Sequence, residues 1–208
     1  MKNEAVVFVH GIWMKGFELL YLSNNLKKQG YHTYHFRYKS LFQTPQQNAD
    51  LLKRYLDEID EPVIHLVCHS LGGIVALNML ERYEPFKPGK VILLGTPVNG
   101  SAVAKHIHKN AWLSWLLGKS TEKGLLDAAP SLKQNRDVYM IAGESGIGMG
   151  MLLAHAAMKK PNDGTVNLEE TKAHFIKQHI SVPYSHFAML WSKQVVSRVI
   201  EILEASQK

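Results

Sequence analysis

A serine, an aspartate and a histidine stand in this chain where they could act on one another: Ser70, Asp163 and His186, in that order. Ser70 closes the run Val63-Ile64-His65-Leu66-Val67-Cys68-His69, and Leu71-Gly72-Gly73 leads on into an apolar segment too long for a strand. This reads as buried parallel strand, sharp turn and buried helix, with the serine at the turn. A strained turn pushes Oγ clear of the backbone, and the helix behind it aims its N–H groups and positive dipole end at any negative charge that forms there. A serine hydroxyl is a poor nucleophile at its free pKa and needs a base to take its proton. A histidine can do so, and a carboxylate can fix the imidazole tautomer and stabilise the imidazolium. Asp163 is central in the polar turn Pro161-Asn162-Asp163-Gly164, and His186 ends Pro183-Tyr184-Ser185-His186. The chemistry is acyl transfer through a covalent intermediate, and it needs no metal and no cofactor.

The remaining chain supplies elements that would hold these residues together. Ala5 to Val9 reads as a buried strand, Tyr31 to Tyr38 as a second nearer the sheet edge, and Lys90 to Leu94, Val138 to Ala142 and Phe175 to Val182 as further strands. Phe17 to Gln29 carries Leu19, Leu22 and Leu26 at helical spacing, with Gly30 in the C-terminal cap position. Thr44-Pro45-Gln46-Gln47 opens another helix with a capping-box pattern and proline at its first position; Ala49, Leu52, Leu56 and Ile59 form its buried stripe. Phe187 to Ala205 reads as one long amphipathic helix with Leu190, Trp191, Val195, Val199, Ile202 and Leu203 inward. Strands alternating with helices call for a mostly parallel sheet covered on both faces, an αβα sandwich. Right-handed crossovers then bring the loops after the strands, with Ile12, Ser70, Thr96, Asp163 and His186, to one edge.

Competing residues are identifiable. Glu144 ends the preceding strand on the same edge and is the alternative acid. His174 and His179 also follow Asp163, but fall before or inside the last strand. His10 reads as a structural loop histidine, and His69 is expected to point away from the pocket by strand alternation. His106 and His108 have no third ligand nearby and read as solvent-facing. Cys68 should point opposite to Ser70 and be buried.

At 208 residues the chain suits a single domain over 1–208 with a substantial core. The formal net charge of +6 is not focused by a Lys/Arg run or an aromatic stripe, which argues against nucleic-acid binding. One cysteine excludes an internal disulfide and fits a reducing compartment. No leader pattern or membrane-length apolar run is seen, so a cytoplasmic location is expected. Residues of about 102–136 fit no sheet strand; Ala111 to Leu117 is apolar and aromatic and is flanked by Lys105, Lys109, Lys119 and Lys123. A smaller excursion is expected over about 144–162.

Cys68-His69-Ser70-Leu71-Gly72 resembles the G-x-S-x-G nucleophile elbow of α/β-hydrolases, with cysteine for the first glycine. His10-Gly11, Gly95-Thr96-Pro97, Asp163-Gly164 and His186 extend the likeness from Val6 to about Leu190, and within the family it is to small bacterial lipases and carboxylesterases. The order Ser…Asp…His is that of the family. The resemblance implies six strands in the spatial order 2-1-3-4-5-6, with the family's first two strands missing. It also implies that Ser70, Asp163 and His186 form the triad and that the N–H groups of Ile12 and Leu71 form the oxyanion hole, with Trp13 the runner-up to Ile12. Trp13, Thr96 and Val98 are implied as substrate-binding residues in the pocket wall. The 102–136 insertion would be a cap or lid whose apolar face could line an acyl site or make transient contact with a lipid surface. The expected function is hydrolysis of small-molecule carboxylic esters with an apolar acyl group; the alternatives are a thioesterase or acyltransferase with the same triad, or a silent binding fold. The oligomeric state is not readable.

Overall fold

The computed structural model describes residues 2–83, 86–122, 124–130, 132, 136–148 and 154–205. Six parallel strands, β1 (Glu4–Val9), β2 (His32–Phe36), β3 (Val63–His69), β4 (Val91–Leu94), β5 (Val138–Gly143) and β6 (Ile176–Val182), form a single sheet in the order β2-β1-β3-β4-β5-β6. The five α-helices described are α1 (Leu20–Lys28), α2 (Pro45–Asp57), α3 (Leu71–Tyr83), α4 (Ala102–Lys109) and α5 (Lys193–Glu204). Strand pleat divides the core into two layers. Ala5, Val7, Val9, Leu66 and Cys68 face the layer shared with α2 and α3, whereas Val6, Phe8 and Val67 face the layer shared with α1 and α5. Central strands are buried on both faces, and the outer strands β2 and β6 are partly exposed, as their weaker apolar patterns require.

Local signals hold where they are strong. Thr44 Oγ1 accepts from Gln47 N–H at 3.2 Å and Gln47 Oε1 accepts from Thr44 N–H at 3.0 Å, closing the expected capping box behind Pro45. Gly30 takes φ 88° after α1. The long C-terminal helix is a correction. Ala188–Trp191 is a 3-10 turn, and α5 starts only after Ser192, whose Oγ accepts from Val195 N–H at 3.3 Å. An N-cap in mid-segment resets the helical phase, and Trp191 is consequently exposed rather than inward. Lys90, buried before β4, donates its ammonium protons to the carbonyls of Ile202, Leu203 and Ala205 and so closes the end of α5.

The 102–136 segment contributes no strand among its described residues. Its first part is α4, capped by Ser101 Oγ accepting from Ala104 N–H at 3.1 Å. Val103, Ala104, Ile107, Leu117 and Leu125 pack with Leu71 and Ile74 of α3 in a third, smaller cluster. Trp112 and Trp115 stay exposed. Of the excursion expected over 144–162, residues 149–153 lie outside the described residues. Among the described residues no helix is long and apolar enough to cross a membrane.

Candidate active site

Ser70 follows β3 directly and adopts φ 52°, in the left-handed region that an L residue enters at a cost. The turn is anchored on both sides. Ser70 N–H donates to Leu94 O at 2.9 Å; its own carbonyl accepts from Gly73 N–H and from Thr96 Oγ1, each at 3.0 Å. Two glycines let α3 start so close to the sheet. A Cβ on Gly72 would lie 2.4 Å from the carbonyl oxygen of Val9, and one on Gly73 would lie 2.1 Å from Thr96 Oγ1. Cys68, in place of the usual glycine, points into the α2/α3 core layer, and burial pushes its thiol pKa far up, so it is an inert core residue.

Asp163 and His186 meet on the same edge. His186 Nδ1 lies 2.6 Å from Asp163 Oδ2, and both side chains are 2 % exposed. The second carboxylate oxygen accepts from Thr165 N–H at 2.9 Å and Val166 N–H at 2.7 Å. His186 N–H donates to Asp163 O at 2.8 Å, so backbone and side chain tie the two loops together. The turn that presents Asp163 depends on Gly164 at φ 87°, whose N–H donates to Asn162 Oδ1. Gly95, at φ 57°, lies between strand end and pair: a Cβ there would sit 3.0 Å from His186 Nδ1 and 3.2 Å from Asp163 Oδ2. Since Ser70 N–H is bonded to Leu94, the residue before Gly95, serine and histidine flank the same short stretch. Among the described residues neither the Ser70 hydroxyl nor His186 Nε2 has a hydrogen-bond partner. The N–H groups of Ile12 and Leu71 likewise donate to no acceptor among them.

A small apolar cavity of about 40 Å³ opens beside Ser70 between the Ile12–Trp13 loop, α4 and the Thr165–Val166 strand of backbone. Trp13 takes φ 60° and donates its indole N–H to Leu116 O at 2.7 Å, so the loop after β1 is pinned to the segment after α4. Ser70 and Trp13 are the two non-glycine residues with positive φ among those described, and both line this cavity. Thr96 and Val98 do not line it. Thr96 is fully buried beneath the serine turn, holding the Ser70 carbonyl, and Val98 packs into the α2/α3 core layer. Pro97, between them, forms the wall instead.

As expected, His69 does not line the cavity, but it makes a further contact. Pleat does turn it away from Cys68, but the face it enters is where the His186 loop crosses the sheet. Its ring centroid lies 4.6 Å from that of His186, and Nε2 donates to His186 O at 3.1 Å. Burial, with His186 adjacent, holds its pKa well below the ordinary histidine value, so the ring is neutral. His69 thus braces the backbone of the histidine loop. The sequence signal was its position beside the serine, which is informative only once the loop crossing is known. His10 is a loop histidine as expected: Nδ1 donates to Gly11 O at 2.9 Å and the ring stacks on Tyr38 at 4.4 Å. Glu144 is exposed, His179 bonds Thr171 Oγ1, His174 packs on Phe175, and His106 and His108 are exposed on α4. Among the described residues no three His, Cys, Asp or Glu side chains cluster as metal ligands.

The parallel sheet in this order, flanked by helices, is that of the α/β-hydrolase fold. The mature lipase BlEst2 of Bacillus licheniformis is similar over 96 % of this chain and 91 % of its own, at 21 % identity and a TM-score of 0.76; this chain spans about half (52 %) of the same lipase in its propeptide form. The metagenomic carboxyl esterase MGS0156 matches over 90 % of this chain and 65 % of its own at 18 % identity and a TM-score of 0.72. The NocB thioesterase domain from the nocardicin cluster matches over 98 % and 95 % at 13 % identity and a TM-score of 0.65. No curated protein matches the chain. Residues 1–142 match the model of DUF7379, a domain of unknown function, and the chain belongs to that family.

Proposed function

We propose that the protein is a serine hydrolase that cleaves carboxylic esters, with Ser70 as nucleophile, His186 as general base and acid, and Asp163 as the acid that orients the imidazole. The observation that carries this is the buried 2.6 Å contact between His186 Nδ1 and Asp163 Oδ2 beside a serine held at φ 52° where a helix begins. Asp163 accepts a hydrogen bond from Nδ1–H, which fixes the tautomer and leaves the Nε2 lone pair for the Ser70 hydroxyl. Oγ attacks the ester carbonyl as Nε2 takes its proton. The tetrahedral oxyanion is met by the N–H groups of Ile12 and Leu71, each worth roughly 3 kcal/mol of barrier. The imidazolium then protonates the departing alkoxide, and a water deprotonated by Nε2 releases the acid from the acyl-enzyme. Residues 102–136 act as a cap over the acyl side, and the exposed indoles of Trp112 and Trp115 beside Lys105, Lys109 and Lys119 favour transient contact with a lipid surface.

The test is hydrolysis of p-nitrophenyl acetate by the full chain beside its Ser70→Ala variant. Turnover that the variant lacks is expected; equal turnover in both overturns the assignment of the nucleophile.

A further inference from the structure

The cavity beside Ser70 limits what can be acylated onto it. We infer that the acyl group is short, of about two to four carbons, and unbranched; this rests on the reading of Ser70 as the nucleophile. An apolar cavity of roughly 150 Å³ takes up benzene, and this one measures about 40 Å³. Its walls are not loose surface. Val103 and Ile107 of α4, with Leu117 and Leu125, are 1–6 % exposed and form one packed cluster with Leu71 and Ile74 at the start of α3. A longer chain could enter only by displacing side chains that also hold the serine's own helix. Close-packed walls of this kind resist even one additional methylene. Trp13, which also lines the cavity, is tied to the Leu116 carbonyl. Polar surface in the cavity is scarce, so the acyl group it favours is a plain hydrocarbon chain rather than a charged or hydroxylated one. Ile107, on the buried face of α4, is one of the side chains that line the cavity.

The experiment measures kcat/KM of the full chain for p-nitrophenyl acetate, butyrate, hexanoate and octanoate, with fluorophosphonate labelling of Ser70 alongside. The expected result is a maximum at acetate or butyrate and a fall of at least about tenfold by octanoate, since one methylene beyond the room available costs roughly tenfold or more. Ile107→Ala is expected to raise the octanoate-to-acetate ratio at least about tenfold. Should that variant not fold, Leu117→Ala, at a second lining residue, carries the same expectation. Labelled Ser70 with turnover that is flat or rising to octanoate overturns the short-acyl limit and leaves the nucleophile in place. Labelled Ser70 with no turnover of any of these esters also overturns it, because a plain short acyl group should react. Neither labelling nor turnover overturns the hydrolase reading itself, and the limit with it.

Discussion

Asp163 divides its two carboxylate oxygens between different tasks: one holds the His186 imidazole, the other holds two N–H groups of its own turn. Asp163→Asn therefore separates chemistry from folding. The amide oxygen can still accept from Thr165 and Val166, but the amide N–H₂ cannot accept the Nδ1 proton and forces the wrong tautomer. A loss of roughly 10⁴ in kcat is expected with little change in Tm. Glu144→Gln, at an exposed carboxylate that bonds nothing in the site, should leave both unchanged; the reverse pattern would move the acid to Glu144. At this scale the three proposed catalytic side chains stand out in the sequence because each sits in strong local punctuation, a Ser-x-Gly-Gly turn, an Asp-Gly turn and a loop behind a strand. Thr96 and Val98 were legible only as neighbours of the site. Neither faces the cavity: Thr96 spends its hydroxyl on the Ser70 carbonyl and Val98 packs into the α2/α3 core layer.

The element that follows Ser70, α3, is placed by steric room. Gly72 has ordinary φ, so its cost of substitution is contact alone: the added methyl of Gly72→Ala would lie 2.4 Å from Val9 O and 2.5 Å from His10 O, both backbone atoms that cannot swing aside. The expected destabilisation is about 3 kcal/mol, read as a fall in the urea midpoint. An unchanged midpoint would mean that α3 does not abut the end of β1. The strands and the starts of α2 and α3 were visible in the sequence because apolar runs and caps are local, whereas the strand order came only with the likeness to α/β-hydrolases. The break before α5 was not, since Ala188 to Trp191 keeps a helical apolar rhythm and only the Ser192 cap betrays the restart. The α4 helix was missed for the same reason in reverse: eight residues after Ser101, too few for periodicity to stand out.

Taken over the whole molecule, the fold keeps several histidines neutral. Burial lowers the pKa of His10, His65 and His69 below the ordinary value, and their rings are engaged in internal hydrogen bonds. Below pH about 6.5 the unfolded chain binds protons that the folded one refuses, so stability is retained above that pH and lost as pH falls toward the lowered folded values. Each ring that stays neutral costs up to about 1.4 kcal/mol per pH unit. The unfolding free energy should therefore fall between pH 7.5 and 5.5, measured by urea titration; constant or rising stability would contradict neutral, buried rings. The parallel sheet itself brings the loops after β1, β3, β4 and β5 and the loop after β6 to one edge, and it is this convergence that turns scattered residues into a site.

The most direct measurement is kcat/KM for p-nitrophenyl acetate in the wild-type chain and in Ser70→Ala. Removal of a triad nucleophile costs roughly 10⁶-fold, and a loss of that order, with the variant folded, is what the Ser70–His186–Asp163 arrangement predicts. A folded variant that hydrolyses the ester as fast as the wild type would contradict it.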